Sequence, residues 1–161
     1  MRTKGSRRQD RPAAAVPRSG ALYWLAAALA GFGLGTSGYL AYADFAGTVV
    51  ACGGLGDCEA AHASAYAYVY GLPVSYLGFG AFACLALAIA WSRVGAGPTR
   101  LAALLGSLSV AVGGAVFSGY LTYVEFFVIH AICPWCVASA AAVTTLTIVL
   151  AIVVRREMAL S

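Results

Sequence analysis

Charge is what this sequence has least of. Only 10% of its 161 residues are charged, against about 25% in an ordinary soluble domain. Lys and Arg are missing altogether from residues 19–92 and again from 101–154. No flavin or dinucleotide fingerprint occurs, and no internal repeat or low-complexity tract beyond an alanine bias. The scarcity of charge argues against a soluble enzyme, a disordered protein and a nucleic-acid binder. What fills the space is apolar: 61% of residues are hydrophobic and the mean hydropathy is +0.84. Four membrane spans of about 20 residues each would use half the chain, which leaves no room for a second folded domain.

The few charges report topology. Six basic residues crowd the first 18 positions (Arg2, Lys4, Arg7, Arg8, Arg11 and Arg18), Arg93 and Arg100 flank the middle, and Arg155 and Arg156 lie near the end. Each stretch without Lys or Arg can cross a membrane twice, so spans are expected at about 21–43, 73–92, 101–123 and 134–154. Basic residues are retained on the cytoplasmic side. Both termini and the Arg93–Arg100 turn are therefore expected inside the cytoplasmic (inner) membrane. On that registration Asp10 and Glu157 fall inside, and Asp44, Asp57, Glu59 and Glu125 outside. The net charge of +4 is thus a topology signal and does not require nucleic acid as a partner. Trp24 and Trp91 fall at inner span ends, and Tyr39, Tyr42, Tyr76, Tyr120, Tyr123 and Trp135 near outer ones, where amphipathic rings sit. Ala41-Tyr42-Ala43 resembles a signal-peptide cleavage site, but the run 21–43 outlasts the roughly 7–15 residues of a signal core.

The expected fold is all-α, a polytopic membrane four-helix bundle. Residues 1–20 read as a disordered cytoplasmic tail, 21–154 as the four-span domain and 155–161 as a second cytoplasmic tail. Gly31 and Gly35 in the first span, and Gly106, Gly113, Gly114 and Gly119 in the third, suit close helix packing in lipid. The longest outer segment, 44–72, is expected to carry a short interfacial helix over about 59–68.

Cysteine carries the chemistry. Cys84 lies mid-span and reads as a small apolar packing residue. The other four fall on the outer side in two close pairs, Cys52/Cys58 in the long loop and Cys133/Cys136 at the start of the fourth span. That face permits disulfides. In Cys133-Pro134-Trp135-Cys136, Pro134 suits the first helical position and makes Cys133 the N-cap. There the dipole and free N–H groups favour a reactive thiolate. Gly53, Gly54 and Gly56 let the Cys52/Cys58 loop close and reopen. Zinc by four cysteines fits the count but not an oxidising site beside lipid, so no metal is expected. Haem attachment needs a His where Val137 stands.

Two dithiol pairs on one face form a relay. A soluble partner protein would reduce the loop pair, the loop pair would reduce Cys133/Cys136, and a membrane quinone beside Cys136 would accept the electrons. The alternative is a non-catalytic membrane scaffold stapled by passive disulfides. His62, His130 and Glu125 lie near the cysteines as weaker proton-relay candidates, each more simply read as a polar surface residue.

The order of features resembles the bacterial branch of the vitamin K epoxide reductase family: a loop Cys pair, Ser64 six residues after Cys58, Gly71-Leu72-Pro73, then Cys133-Pro-Trp-Cys136 opening the last helix. The resemblance covers about residues 20–154. It implies a four-helix bundle around a quinone (ubiquinone or menaquinone), capped by the loop and its interfacial helix. It assigns Cys133 to exchange with the loop pair, Cys136 to face the quinone, and Ser64 to a place beside both. It also implies a separate extracytoplasmic thioredoxin-like partner, since the sequence carries no fused domain of that kind. Vertebrate members have a tyrosine where Ala140 stands and an asparagine where Ala67 stands, so their hydrogen bonds to quinone carbonyls do not carry over. The bacterial disulfide-bond protein B family also has four spans and two outer pairs, but in the reverse order.

Overall fold

The computed structural model describes residues 20–54, 56–95 and 97–159. The basic cluster and the tail expected over 1–20 lie, but for Gly20, outside them. Four long helices form the molecule: α1 (Gly20–Ala46), α3 (Val74–Val94), α4 (Pro98–Phe127) and α5 (Pro134–Met158). All four are long and apolar enough to cross a membrane, and the chain is an all-α integral membrane protein. Each helix outruns its expected span, because hydropathy marks the lipid-immersed part and the backbone hydrogen-bond ladder continues past it. The C-terminal tail is accordingly helical through Arg155 and Arg156 to Met158.

Neighbours around the bundle run α1, α3, α4, α5 and back to α1. Ala26, Ala30, Phe82, Leu85, Ile89, Ala111, Leu146 and Leu150 fill the centre. Outward faces carry large apolar side chains such as Leu87, Val116 and Ile148, as a lipid-facing surface requires. At the terminal end, Arg100 donates to Glu157 Oε1 (2.6 Å) and to the Tyr23 hydroxyl (2.8 Å), tying α4 to α5 and α1. Arg93 stacks over Trp24 at 4.8 Å.

Close packing uses a different glycine from the expected pair. Gly31 and Gly35 face outward, whereas Gly33 lies against the Phe82 ring, which a Cβ would meet at 2.0 Å. About half a turn separates these faces, and spacing alone does not fix which one meets a neighbour. Of the third-span glycines, only Gly114 lies near a neighbouring side chain, Val143. Cys84 likewise is exposed on the lipid face of α3 and is not a packing residue.

The connection between α1 and α3 caps the other end. Asp57 accepts the Ala60 N–H (3.0 Å) and caps a short helix, α2 (Cys58–Ala63). The expected helix over 59–68 stops early. Ser64 turns extended, a single 3-10 turn covers Ala65–Ala67, and a tight hairpin pairs β1 (Tyr68–Val69) with β2 (Leu72–Pro73). Tyr70 (φ 50°) and Gly71 (φ 84°) form its two-residue turn, the left-handed conformation such hairpins need. Pro73 then precedes α3.

Candidate functional site

Cys133 is the N-cap of α5 and Pro134 its first residue. The Cys136 N–H donates to Cys133 Sγ at 3.3 Å, so an otherwise unpaired helix N–H points at the sulfur. The Cys133 N–H donates to Glu125 Oε2 at 3.2 Å. Both sulfurs are free thiols, and Cys52 is disulfide-bonded to Cys58. The two couples share one apolar cluster: Cys58 and Cys133 are buried in it with Leu40, Ala43, Val50 and Ala61, and Cys52 and Cys136 pack against it.

Backbone contacts hold the loop there. The Asp57 N–H donates to the Ile132 carbonyl at 3.1 Å, and Trp135 Nε1–H donates to the Ala51 carbonyl at 3.0 Å. The Ala51 N–H donates to the Tyr39 hydroxyl oxygen at 3.0 Å, and the Tyr39 and Trp135 rings lie 5.3 Å apart. Gly56 passes so close to the Ile132 carbonyl oxygen that a Cβ would sit 2.2 Å from it.

Below the loop, a cavity of about 390 Å³ opens between the four helices. Its wall is mainly apolar, with Phe82, Leu85, Phe117 and Val143 among its residues. Its polar groups are few, and Ser37, Asp44, His62, Ser64, Glu125 and Ser139 are among them. Among the four paired cysteines, only Cys136 lines it. Ser64 also lines it, with its hydroxyl hydrogen given to the Ala61 carbonyl (2.7 Å).

His62 belongs to this site and not to the surface. A ring nitrogen lies within 4.8 Å of both Cys133 and Cys136 sulfurs, and Nδ1 is 3.1 Å from Asp44 Oδ1. Asp44 Oδ2 accepts from the Ser75 hydroxyl. Cys133 is held down at about 5, against an ordinary thiol value of 9.0. The hydrogen bond from the Cys136 thiol is the main cause; His62 and the Cys136 N–H add to it against burial. His62 is raised above 6.5, first by its hydrogen bond with Cys133 and then by Asp44, against desolvation. The imidazolium and thiolate thus stabilise each other. His130, at φ 52°, is exposed.

Sequence reading counts Asp44 only as an outer charge and passes over Ser75. The available signal was that Asp44 is the one ionisable side chain that can carry charge at neutral pH in the span 20–46, and such residues are functional candidates by default.

Comparison with known proteins adds family membership. Residues 24–151 match the vitamin K epoxide reductase family. Among curated proteins nothing matches the chain. A family match over most of the chain, on a four-helix membrane bundle with paired cysteines at one end, leads to one conclusion: this protein belongs to the vitamin K epoxide reductase family and is an oxidoreductase.

Proposed function

We propose that this protein is a thiol–quinone oxidoreductase of the cytoplasmic membrane. It carries electrons from an extracytoplasmic thioredoxin-like partner through Cys52/Cys58 to Cys133/Cys136 and on to a membrane quinone, driving disulfide bond formation. One observation carries this reading: a loop disulfide and a free dithiol pack in one cluster, and Cys136 of that dithiol borders the cavity.

Burial separates the roles of the loop cysteines. Cys58 is 2% exposed and buried with Cys133, so it is the sulfur that exchanges inward. Cys52 is half-buried and is the sulfur a soluble dithiol reaches. Once the loop has passed its electrons inward, the loop is oxidised and the inner pair reduced. The inner pair then forms its own S–S bond, losing two thiol protons and two electrons, and the quinone becomes a quinol. A mainly apolar cavity of about 390 Å³ lies in the size range of small-molecule sites and suits a quinone head group as substrate. Both termini face the cytoplasm and both sulfur couples face outward, as the basic residues dictate.

The test is turnover. Purified protein given a reduced thioredoxin-like donor and a short-chain quinone analogue is expected to bleach the quinone and oxidise one donor dithiol per quinone. Cys133→Ala or Cys136→Ala abolishes this, whereas Cys84→Ala on the lipid face leaves it intact. Wild-type rates in both inner-pair variants would overturn the reading and leave the scaffold alternative.

A further inference from the structure

Quinone reduction by the inner pair involves a proton that the cysteines alone do not deliver. Forming the Cys133–Cys136 bond breaks two S–H bonds and sends two electrons to the quinone, whose two oxygens each gain a proton. Cys136 borders the cavity, so its proton leaves directly. Cys133 is 0% exposed and forms no part of the cavity wall. Its proton needs a carrier that touches the sulfur and also faces the cavity.

His62 meets both conditions. The ring lines the cavity and lies within 4.8 Å of both sulfurs. Asp44, held by Ser75, bonds Nδ1. A carboxylate there places the ring hydrogen on Nδ1 and leaves Nε2 as the base. Nε2 is buried and, with Nδ1 taken by Asp44, is the nitrogen left to face Cys133.

We propose that His62 is a catalytic acid–base residue of quinone reduction, with Asp44 and Ser75 as its positioning residues; this rests on the thiol–quinone reading above. Nε2 takes the Cys133 thiol proton. The thiolate then bonds to the Cys136 sulfur while two electrons and the Cys136 proton pass to the quinone. The imidazolium gives its proton to the second quinone oxygen. His62 ends neutral, the pair ends as a disulfide, and the quinol leaves with both protons. The charged and titratable groups facing the ring are Asp44 from α1, Glu125 from α4, and Cys133 and Cys136 at the start of α5; Ser75 of α3 adds a neutral hydroxyl.

The experiment mixes pre-reduced full-length protein with a short-chain ubiquinone analogue and follows quinone absorbance against pH. His62→Gln and His62→Ala are expected to lower the maximal rate at neutral pH by about 100-fold or more, with the quinone KM unchanged. The variant rates climb more steeply with rising pH than the wild-type rate, because without the ring the Cys133 proton must leave to solvent base. Added imidazole partly restores His62→Ala. Asp44→Asn, which keeps the ring, shows a smaller loss in the same direction, and an unchanged helical circular-dichroism signal in each variant certifies the fold. Wild-type rates and profiles in the His62 variants would overturn the inference. So would a loss with the wild-type pH profile and no imidazole rescue, the signature of a structural role. Wild-type protein that fails to reduce quinone would instead sink the underlying reading.

Discussion

Cys133 is a sulfur on which several weak influences converge: the Cys136 thiol and N–H, the His62 ring and the start of a helix. Its thiolate is held to about 5 against 9.0, so it contributes stability to the folded, reduced protein. That contribution is complete above about 9 and is lost as pH falls through about 5. His62, raised from 6.5, acts in the opposite sense, fully below 6.5 and fading as pH rises through its raised value. The ion pair forms in the window between them, above about 5 and below the raised value of His62. Thiolate ultraviolet absorbance of the reduced Cys84→Ala protein is therefore expected to persist below neutrality and to disappear near pH 5. In His62→Gln it disappears at higher pH; identical titrations in the two proteins would contradict the pairing. The cysteines were legible because their spacing is local. The His62–Asp44 pair was not, because it joins residues 18 apart in sequence through a chain reversal that no local pattern encodes.

At the scale of elements, starts were more legible than lengths. Pro134 after Cys133 marked the opening of α5, a signal carried by fixed φ and a missing N–H. The cap was legible only in part: the extended Ser64 and the 3-10 turn at Ala65–Ala67 break what composition suggested was one helix over 59–68. Glycine spacing named the right helix and the wrong face. Gly33→Ala, driven into the Phe82 ring, is expected to cost about 1–3 kcal/mol in thermal unfolding, whereas outward-facing Gly31→Ala is near neutral. Equal melting temperatures for the two would contradict the packing. Gly56→Ala meets the Ile132 backbone oxygen and pushes the loop off α5. Oxidation of a protein donor is then expected to fall at least tenfold, since close placement of the reacting groups supplies much of such a rate. Turnover with a small permeant dithiol survives. Equal losses with both donors would contradict a role for loop docking.

The whole molecule separates its chemistry from its anchors. Arg100, Glu157 and Tyr23 tie one end together, and both sulfur couples occupy the opposite end with the cap. Charge distribution made this polarity readable in advance, because moving basic residues across a bilayer is costly. A membrane-impermeant thiol reagent, applied to intact cells after mild reduction, is expected to label Cys52; labelling only after lysis would reverse the topology. The cavity could not be read in advance, since its wall draws on all four long helices, α2 and the hairpin.

Reach between the two sulfur couples is the claim everything else depends on. In a Cys84→Ala background, the Cys52→Ala/Cys136→Ala variant keeps only Cys58 and Cys133. Gentle oxidation followed by peptide mass spectrometry without reductant then reads their distance chemically. Most molecules are expected to carry a Cys58–Cys133 disulfide. Free thiols or disulfides between separate molecules, in place of that bond, would contradict the relay.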